Sequence, residues 1–488
     1  MHFIIRLFPE ITIKSPSIRK RWSRKLADNM RILARRIYEQ SSVVLEWDRI
    51  LLRVKTDDEA IEAQVVRMLQ CTPGIAHFSK VSAHEFATVH DIYEHCLRAW
   101  VDKLSGKRFC VRVKRSGQHD FSSLDVERYV GGGLLQHTDN AGVSLSEPDI
   151  TVIIEIKDQV CYIVESRVEG LGGFPMGTQD EVVSLVSGGF DSTVASYMLM
   201  RRGMKTHFCF FQLGGREHEL AVKEVAYYLW STFSSSHRVK FVSVPFEGVV
   251  EQILTQVSPA NMGVALKRMM LRAAERVAAR MRAPALVTGE AISQVSSQTL
   301  HNLRLIDQAS QALVLRPLIT MDKPDIIALA RAIGTEAFSA AIPEYCGVIS
   351  IKPSAEVNAA TLAEEEAALD MGVLDRALAA SRAMNIDDVM IDKARKSPEP
   401  ESIGTLGEHD RVIDIRHSDE RELKPLPLSE DQLICIPFYS LNARAAELDP
   451  AFRYALYCEK GVMSQLHAAH LLDQGYTQFV VYRPNSDD

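Results

Sequence analysis

One six-residue segment, Ser187-Gly188-Gly189-Phe190-Asp191-Ser192, constrains the fold more than any other part of the sequence. It stands between an apolar run at residues 182–186 and a helix-forming stretch at 193–200, an order that predicts strand, glycine turn and helix. Two glycines let the backbone turn tightly and approach an anion, and the N-terminus of the following helix attracts phosphate. We therefore predict a nucleotide site in which Ser187 and Ser192 donate hydroxyl groups and Asp191 orients a metal ion or a backbone amide.

Other glycine loops are excluded by spacing. A Walker loop needs G-x-x-x-x-G-K-[ST], a dinucleotide loop needs G-x-G-x-x-G and a hydrolase elbow needs G-x-S-x-G; residues 185–193 fit none of them. The pattern S-G-G-x-D-S resembles the PP-loop of ATP pyrophosphatases, which split ATP between its α and β phosphates. A plain strand-to-helix turn is the remaining alternative.

Composition places the chain in a broad class. At 488 residues and 46% hydrophobic content it is too long for one core, and we expect three or four domains. Charge interrupts the N-terminal segment at once and no apolar run reaches membrane-spanning length, which predicts a soluble, cytoplasmic protein with no membrane partner. The eight cysteines are scattered singly, which argues against a disulfide framework and against a zinc site, so we predict no metal-ligand set.

The basic residues are concentrated early in the chain although the net charge is −7. Such clusters favour a surface that follows a phosphate backbone, and ordinary solvated faces are the alternative. The first cluster lies in a predicted helix over residues 18–38, and the second on a predicted strand and its turn. Their members are Arg19, Lys20, Arg21, Arg24, Lys25, Arg31, Arg35 and Arg36, and then Lys103, Lys107, Arg108, Arg112, Lys114 and Arg115.

Strands and helices alternate from about residue 178 to 351, which predicts a doubly wound α/β sheet. Its buried parallel strands are expected at 206–212, 239–244, 285–288 and 313–315. We predict a helix boundary at Gly131-Gly132-Gly133 and a linker at residues 170–177. Helices and then a tether, including Lys396–Pro400, are expected between about 355 and 410, before a last small α/β unit.

Motifs along nearly the whole chain resemble the tRNA 4-thiouridine synthetase family. They are the opening residues 3–11, residues 109–115, the PP-loop, residues 263–270, 288–290, 294–300, 343–347 and 458–464. The resemblance implies a multidomain α+β and α/β protein. Its domains would be a ferredoxin-like domain (1–62), a THUMP RNA-binding domain (63–167), a PP-loop ATP pyrophosphatase domain (178–395) and a rhodanese domain (406–488).

The resemblance implies ATP and Mg²⁺ as cofactors. It adds nucleotide contacts from Leu185, Val186, Lys267, Gly289 and Gln298 to those that the loop itself predicts, namely Ser187, Gly188, Gly189, Asp191 and Ser192. Lys267 is expected to begin a helix on which Arg268, Arg272, Arg276 and Arg280 recur, most of them solvated. Lys323 matches a lysine that neutralises phosphate charge in PP-loop enzymes, and a surface lysine at a helix start is the alternative.

Two cysteines would carry the sulfur chemistry. Cys458 follows an apolar strand and precedes a short loop and helix, an arrangement that directs backbone N–H groups at the sulfur and stabilises an anionic persulfide. This loop and Asp414-Ile415-Arg416 resemble a rhodanese domain. In the family, a cysteine matching Cys346 forms a disulfide with the rhodanese cysteine, which implies a resolving and a carrying thiol. We expect His467 and His470 on an amphipathic helix surface, and the remaining cysteines, Cys71, Cys96, Cys110, Cys161, Cys209 and Cys435, in the core.

The resulting hypothesis is an ATP-dependent tRNA sulfurtransferase that adenylates uridine, at position eight if the family pattern holds. Its partners would be tRNA and a cysteine desulfurase, with a thiazole-pathway sulfur carrier protein and a homodimer also implied by relatives. Another PP-loop enzyme, such as an amidotransferase ligase or a tRNA 2-thiolase, is one alternative. A tRNA-binding sulfur carrier without catalysis is the other.

Overall fold

The computed structural model of the chain forms two compact units, Met1–Pro175 and Met176–Asp488. It describes residues 1–47, 49–213, 216–342, 353–389, 400–416, 421–422, 424–436, 441, 444–459, 461–473 and 475–484. The predicted tether at Lys396–Pro400 lies outside these residues except for Pro400. No helix within them is both long and apolar enough to cross a membrane.

The first unit is built on one seven-stranded sheet with the order β2-β3-β1-β4-β7-β6-β5. Neighbouring strands are antiparallel except for the parallel pair β5 and β6. The strands are β1 (His2–Leu7), β2 (Ser41–Leu45), β3 (Ile50–Val54), β4 (Ile75–Glu85), β5 (Phe109–Ser116), β6 (Ile150–Lys157) and β7 (Val160–Gly172). The helices are α1 (Pro9–Thr12), α2 (Pro16–Ile37), α3 (Glu59–Gln70), α4 (Val89–Trp100) and α5 (Ser123–His137).

Two hydrophobic clusters support this sheet. One joins strand residues such as Phe3 and Phe78 to Leu26 and Met30 of α2, and the other joins β5 and β6 to α4 and α5. Helices α4 and α5 each begin with a capping box, which satisfies N–H groups that a helix start leaves without intrahelical partners. The predicted domain boundary between residues 62 and 63 falls inside α3, and strand β4 pairs with both β1 and β7.

The helix boundary predicted at Gly131-Gly132-Gly133 is wrong, because α5 runs through all three glycines. The reason is close packing between helices. A Cβ atom on Gly133 would lie 2.4 Å from Cε2 of Tyr93 in α4, so the missing side chain allows the two helices to approach. The predicted linker at 170–177 also begins too early, since β7 continues to Gly172.

The second unit contains a six-stranded sheet with the order β12-β11-β8-β9-β10-β13. Its strands are β8 (Val182–Leu185), β9 (Thr206–Gln212), β10 (Lys240–Pro245), β11 (Ala285–Val287), β12 (Leu313–Leu315) and β13 (Arg382–Asn385). The helices are α6 (Phe190–Arg201), α7 (Arg216–Phe233), α8 (Glu247–Gln256), α9 (Met262–Met281), α10 (Leu300–Asp307), α11 (Lys323–Ala332), α12 (Glu336–Ala341), α13 (Ala359–Ala367) and α14 (Gly372–Ala379).

The parallel α/β sheet predicted for this region is confirmed, with two differences. Strand β13 adds an antiparallel edge to β10 where only helices were expected. Strand β12 is the opposite edge and Leu313 is exposed, so it is not a buried strand. An edge strand has a neighbour on one side only, which leaves such a residue open to solvent.

A smaller parallel sheet follows in the same unit, with the order β14-β18-β17-β15-β16. Its elements are β14 (Ser402–Ile403), β15 (Asp410–Asp414), β16 (Leu433–Cys435), β17 (Arg453–Tyr457), α15 (Val462–Asp473) and β18 (Phe479–Tyr482). Its core includes Val225 of α7 and Phe338 of α12, so the small sheet packs against helices of the larger one.

Two predictions about solvent exposure in this region are wrong: His467 was expected on a helix surface and Cys435 in the core. His467 is buried, with Nε2 3.0 Å from Oε1 of Glu224 in α7, because α15 lies at the contact between the two sheets' helices. The side chain of His470 is outside the described part of the structure. Cys435 is exposed at the end of edge strand β16, whereas Cys71, Cys96, Cys110, Cys161 and Cys209 are buried as predicted.

The glycines of α5 provide a matched test of the helix contact. Gly133→Ala must displace the Tyr93 ring and should destabilise the protein by about 1–3 kcal/mol, the usual cost of overpacking. Gly132→Ala has no neighbour within 4 Å and should stabilise the helix by about 0.5–1 kcal/mol. The melting temperature should therefore fall in Gly133→Ala and rise in Gly132→Ala. Equal melting temperatures would contradict the packing described here.

Candidate active site

The predicted strand, glycine turn and helix are confirmed: β8 ends at Leu185 and α6 begins at Phe190. Gly188 has φ = +83°, a backbone conformation that glycine adopts without strain. The hydroxyl of Ser192 accepts a hydrogen bond from the backbone N–H of Ser187 at 3.2 Å and closes the loop. No side chain caps the start of α6, so the first N–H groups of the helix are directed at the loop, as an anion site requires.

A cavity of about 520 Å³ opens over this loop. It is large enough for a nucleotide, since ligand pockets commonly measure about 300–1,000 Å³. Nine of the predicted site residues line it: Leu185, Val186, Ser187, Gly189, Asp191, Ser192, Lys267, Gly289 and Gln298. The geometry therefore brings together residues from three separate segments of the chain.

Lys323 joins the site through Asp191. Its Nζ lies 2.8 Å from Oδ1 of Asp191, and Nε2 of Gln294 donates to Oδ2 of the same carboxylate at 2.8 Å. Lys323 is the first residue of α11, and its ammonium also lies 5.7 Å from the centroid of the Phe190 ring. Lys323 is thus a partly exposed lysine at a helix start, as the alternative has it, and its ammonium group also lies beside the glycine loop.

Glu290 is the central charge of the opposite wall. Glu290 is 7% exposed, and its carboxylate contacts Nζ of Lys267 at 2.9 Å, Nε of Arg316 at 2.8 Å and the Thr288 hydroxyl at 3.1 Å. Burial alone raises the pKa of Glu290, but the two adjacent cations outweigh it and hold the pKa below its usual value. One carboxylate therefore fixes two cations in place.

The prediction that Lys267 begins its helix is wrong, because α9 already starts at Met262. Apolar residues before the lysine, including Val264 and Leu266, are buried and extend the helix towards its N-terminus. The lysine side chain nevertheless reaches the cavity. Its position is set by Glu290 rather than by the helix end.

The arginines that follow Lys267 were predicted to be mostly solvated, and for two of them this is wrong. Arg268 and Arg272 both pair with Glu366 of α13, at 2.7 Å and 2.6 Å, and are largely buried. The acidic helix α13 packs over this face of α9 and supplies the countercharge. Arg276 is half-exposed and pairs with the exposed Asp375 of α14.

Gly289 and Gln298 contact the cavity in different ways. A Cβ atom at Gly289 would lie 2.5 Å from the carbonyl carbon of Asp191 and 2.6 Å from the nitrogen of Ser192. Only glycine lets this segment pass so close to the loop. Gln298 is buried, and its Oε1 has no hydrogen-bond partner among the described residues, so it offers an acceptor to a bound molecule.

Sequence reasoning missed three contributors to this site. His218 of α7 lines the cavity and its Nε2 donates to the backbone oxygen of Ser187 at 3.1 Å, while burial lowers its pKa. No spacing in the sequence points to this contact. Glu290 belongs to the motif at residues 288–290, but sequence reasoning assigned no role to its side chain, and Arg316 lies outside every motif. Only their pairing in the structure shows that both belong to the site.

Cys458 lies in a second, separate site at the end of β17. Its sulfur accepts a hydrogen bond from the backbone N–H of Ser464 at 3.3 Å and lies 3.5 Å from the Ser464 hydroxyl. Gly461, with φ = +69°, makes the turn that leads into α15. The strand, loop and helix predicted around Cys458 are confirmed, and the side chain is 9% exposed.

A buried ion pair stands next to this loop. The guanidinium of Arg416 binds the carboxylate of Asp414 at 2.6 Å, donates to the backbone oxygen of Lys424 at 2.8 Å and lies 4.9 Å from the ring centroid of Tyr457. Because Tyr457 directly precedes Cys458, this pair fixes the strand end that carries the cysteine. Cys346, the other cysteine of the hypothesis, lies outside the described residues, as does the whole segment 343–347.

Comparisons with known proteins agree with this architecture. The family described as "Thiamine biosynthesis protein (ThiI)" matches residues 177–371, and the "THUMP domain" family matches residues 86–164. The fold and the loop-lined cavity therefore define a multidomain α/β protein in which a PP-loop-type domain follows a THUMP domain.

The relatives identify the family. The tRNA sulfurtransferase of Saccharophagus degradans is 57% identical over 484 residues, which cover 99% of this chain and 100% of that protein. The tRNA sulfurtransferase of Shewanella loihica is 49% identical with the same coverage. The chain belongs to the tRNA sulfurtransferase family. Among solved structures, a 4-thiouridine synthetase–RNA complex with bound ATP is similar, with a TM-score of 0.70, 25% identity, and coverage of 79% of this chain and 99% of that one.

The Glu290 cluster yields an electrostatic prediction. Glu290→Gln keeps the shape of the side chain but leaves Lys267 without its anion and Arg316 with only the half-exposed Asp307, and we expect a loss of about 3 kcal/mol or more. Asp375→Asn breaks the exposed pair with Arg276 and should cost less than about 1 kcal/mol. Thermal melting at neutral pH measures both changes.

The same pair of variants gives a pH test. Because the folded-state pKa of Glu290 is lowered, its stabilising effect is present above the unfolded value of about 4.3 and disappears as the pH falls through the folded value. The difference in the free energy of unfolding between wild type and Glu290→Gln should therefore become smaller at acid pH. A difference that is absent at neutral pH would refute the assignment.

Proposed function

We propose that the protein is an ATP-dependent tRNA sulfurtransferase that makes 4-thiouridine, at position eight of the tRNA. The observation that carries the proposal is the presence, in one chain, of a glycine loop flanked by Lys267 and Lys323 and of a cysteine held at a helix start. The first site suits phosphate chemistry and the second suits sulfur chemistry. The relatives named tRNA sulfurtransferase and the 4-thiouridine synthetase bound to RNA and ATP support the proposal.

The first step activates the base. The C4 oxygen of uridine is a poor leaving group, so it attacks the α-phosphate of ATP, forms an adenylated base and releases pyrophosphate. Charge accumulates on the departing pyrophosphate, and we assign its stabilisation to the backbone N–H groups of the loop together with Lys267 and Lys323. His218 donates to the Ser187 carbonyl, and this hydrogen bond helps to hold the loop in place.

The residues at the loop fit a Mg²⁺ ion that is held mainly by the nucleotide. Mg²⁺ commonly binds one or two carboxylates together with substrate phosphates and waters. Asp191 is the carboxylate in reach, and its bonds to Lys323 and Gln294 leave further lone pairs for a metal. When bound, the ion supplies neutralisation of phosphate charge.

The second step delivers sulfur, and we assign it to Cys458 in a rhodanese-like domain. A cysteine desulfurase transfers sulfane sulfur to Cys458 to give a persulfide, which the Ser464 N–H stabilises. The terminal sulfur bonds to C4 of the activated base and AMP departs with the original oxygen. The Cys346 thiolate then attacks the Cys458 sulfur and breaks its bond to the transferred sulfur, which leaves on the base as 4-thiouridine. A cellular thiol reductant must reopen the resulting Cys346–Cys458 disulfide.

The remaining parts of the proposal concern partners. The THUMP domain and the basic residues of the first unit bind tRNA, and the enzyme also supplies sulfur to a thiazole-pathway carrier protein. A homodimer is the proposed assembly. The THUMP match and the concentration of basic residues in the first unit support tRNA binding, and the thiamine-biosynthesis family match supports the thiazole role.

The two steps can be separated by substitution. Cys458→Ser should abolish thiolation with a desulfurase as donor but leave ATP-dependent activation of the tRNA intact, whereas Asp191→Ala should stop activation while Cys458 still accepts sulfur. The exposed Cys435→Ser is the control and should behave as wild type. The assays are thiouridine absorbance and nucleoside mass, release of pyrophosphate, and transfer of labelled sulfur to the protein. Loss of both steps in Cys458→Ser would contradict the division of roles.

The role of Lys267 in the pocket can be tested by measuring the affinity for ATP. Lys267→Met removes a charged contact to phosphate and should raise the dissociation constant for ATP about tenfold or more, since such bonds contribute about 1.5–3 kcal/mol. Arg276→Met, on the same helix but paired with Asp375, should bind ATP as wild type does. Titration calorimetry compares them. If wild type, Lys267→Met and Arg276→Met bound ATP with equal affinity, the proposed contact between Lys267 and phosphate would be refuted.

A further inference from the structure

Trp47 is unusually accessible. Its side chain is 88% exposed, whereas Trp22, Trp100 and Trp230 are 7%, 8% and 7% exposed. These four are all the tryptophans of the chain. A large aromatic ring left in water forgoes the free energy that burial would provide, and such rings are common where a partner binds.

Arg19 holds this ring in place. Its guanidinium carbon lies 5.3 Å from the centroid of the Trp47 ring, and its NH2 group donates to the backbone oxygen of Trp47 at 3.2 Å. Arg19 belongs to the first turns of α2, so the ring stands at the N-terminal end of that helix. The cation limits the ring's freedom but leaves most of its surface open.

The exposed face of α2 is strongly basic. Lys20, Arg21, Arg24 and Arg35 are exposed and fall within an arc of about 100° at 100° per residue. Within the described part of the chain, Arg21, Arg24 and Arg35 make no ion pair. The one acid on this arc, Asp28, is paired with Arg31. The 22-residue helix is about 33 Å long, so its charges extend over several phosphates of a nucleic-acid backbone.

An aromatic platform beside a track of cations is the combination that binds unpaired nucleotides. Bases stack on aromatic rings, while lysine and arginine bind the phosphates that lead to and from them. We propose that Trp47, held by Arg19, stacks on an unpaired nucleotide of RNA whose backbone follows α2. The inference rests on the proposed function, because the RNA is the tRNA substrate.

Intrinsic fluorescence tests the platform directly, since Trp47 is the one exposed indole of four. Saturating unmodified tRNA should remove most of the acrylamide-accessible fluorescence, and Trp47→Phe should lack that accessible component from the start. Heparin, a polyanion without bases, should leave Trp47 accessible. Full accessibility at saturating tRNA, or equal protection by heparin, would overturn the inference.

Affinity measurements separate stacking from charge. Trp47→Ala should raise the dissociation constant for tRNA about tenfold with an unchanged salt dependence, and Trp47→Phe should recover most of the loss. The triple variant Arg21→Gln, Arg24→Gln, Arg35→Gln should instead weaken the salt dependence. Leu313→Ala, which removes an exposed apolar side chain from edge strand β12 of the second unit, is the control and should bind as wild type does. Wild-type affinity in Trp47→Ala, or no recovery in Trp47→Phe, would refute stacking.

The failure of this inference is distinguishable from that of the proposed function. If wild type thiolates tRNA and Trp47→Ala does so with an unchanged KM for tRNA, the function stands and the platform does not. If wild type binds tRNA with protection of Trp47 but produces no thiouridine, the platform stands and the function does not. ATP affinity should be the same in both proteins.

Discussion

The pairing of Glu290 with Lys267 and Arg316 is the interaction on which the candidate active site depends. A buried carboxylate is costly unless cations face it, and here two do. Arg316 also pairs with Asp307, so the charges of the cluster balance, and Lys267 is the cation of the cluster that lines the cavity opposite the glycine loop. Lys267 is thus held in position before any ligand arrives, which lowers the reorganisation needed for catalysis.

Parallel strands explain how distant segments meet at this cavity. Strands β8 and β11 are neighbours and run in the same direction, so the loop after Leu185 and the segment Thr288–Glu290 leave the sheet at the same edge. Ligands of open α/β sheets bind at this edge. Gly289 then passes within contact of the Asp191 backbone, and this close approach joins two motifs that are about a hundred residues apart in sequence.

The sequence predicted the loop, the α/β sheet and nine cavity residues because spacing and strand–helix alternation are local signals. It could not predict contacts that depend on which elements pack together. Arg268 was expected in solvent because periodicity identifies its face of α9 but not the helix α13 that covers it. His467 was misplaced for the same reason, since its partner Glu224 belongs to another sheet's helix. Gly133 was taken for a helix end because the Tyr93 ring above it is invisible in sequence.

The geometry around Cys458 bears on how sulfur would leave the protein in the proposed reaction. Cys458 is 9% exposed and its sulfur accepts a hydrogen bond from the Ser464 N–H, so the residue presents little surface to a substrate. A persulfide places its terminal sulfur about 2 Å beyond the cysteine sulfur. The buried pair of Asp414 and Arg416 restrains the strand end behind it, so the added atom extends from a fixed base. In the proposed reaction the outer sulfur is therefore the atom that meets the activated base.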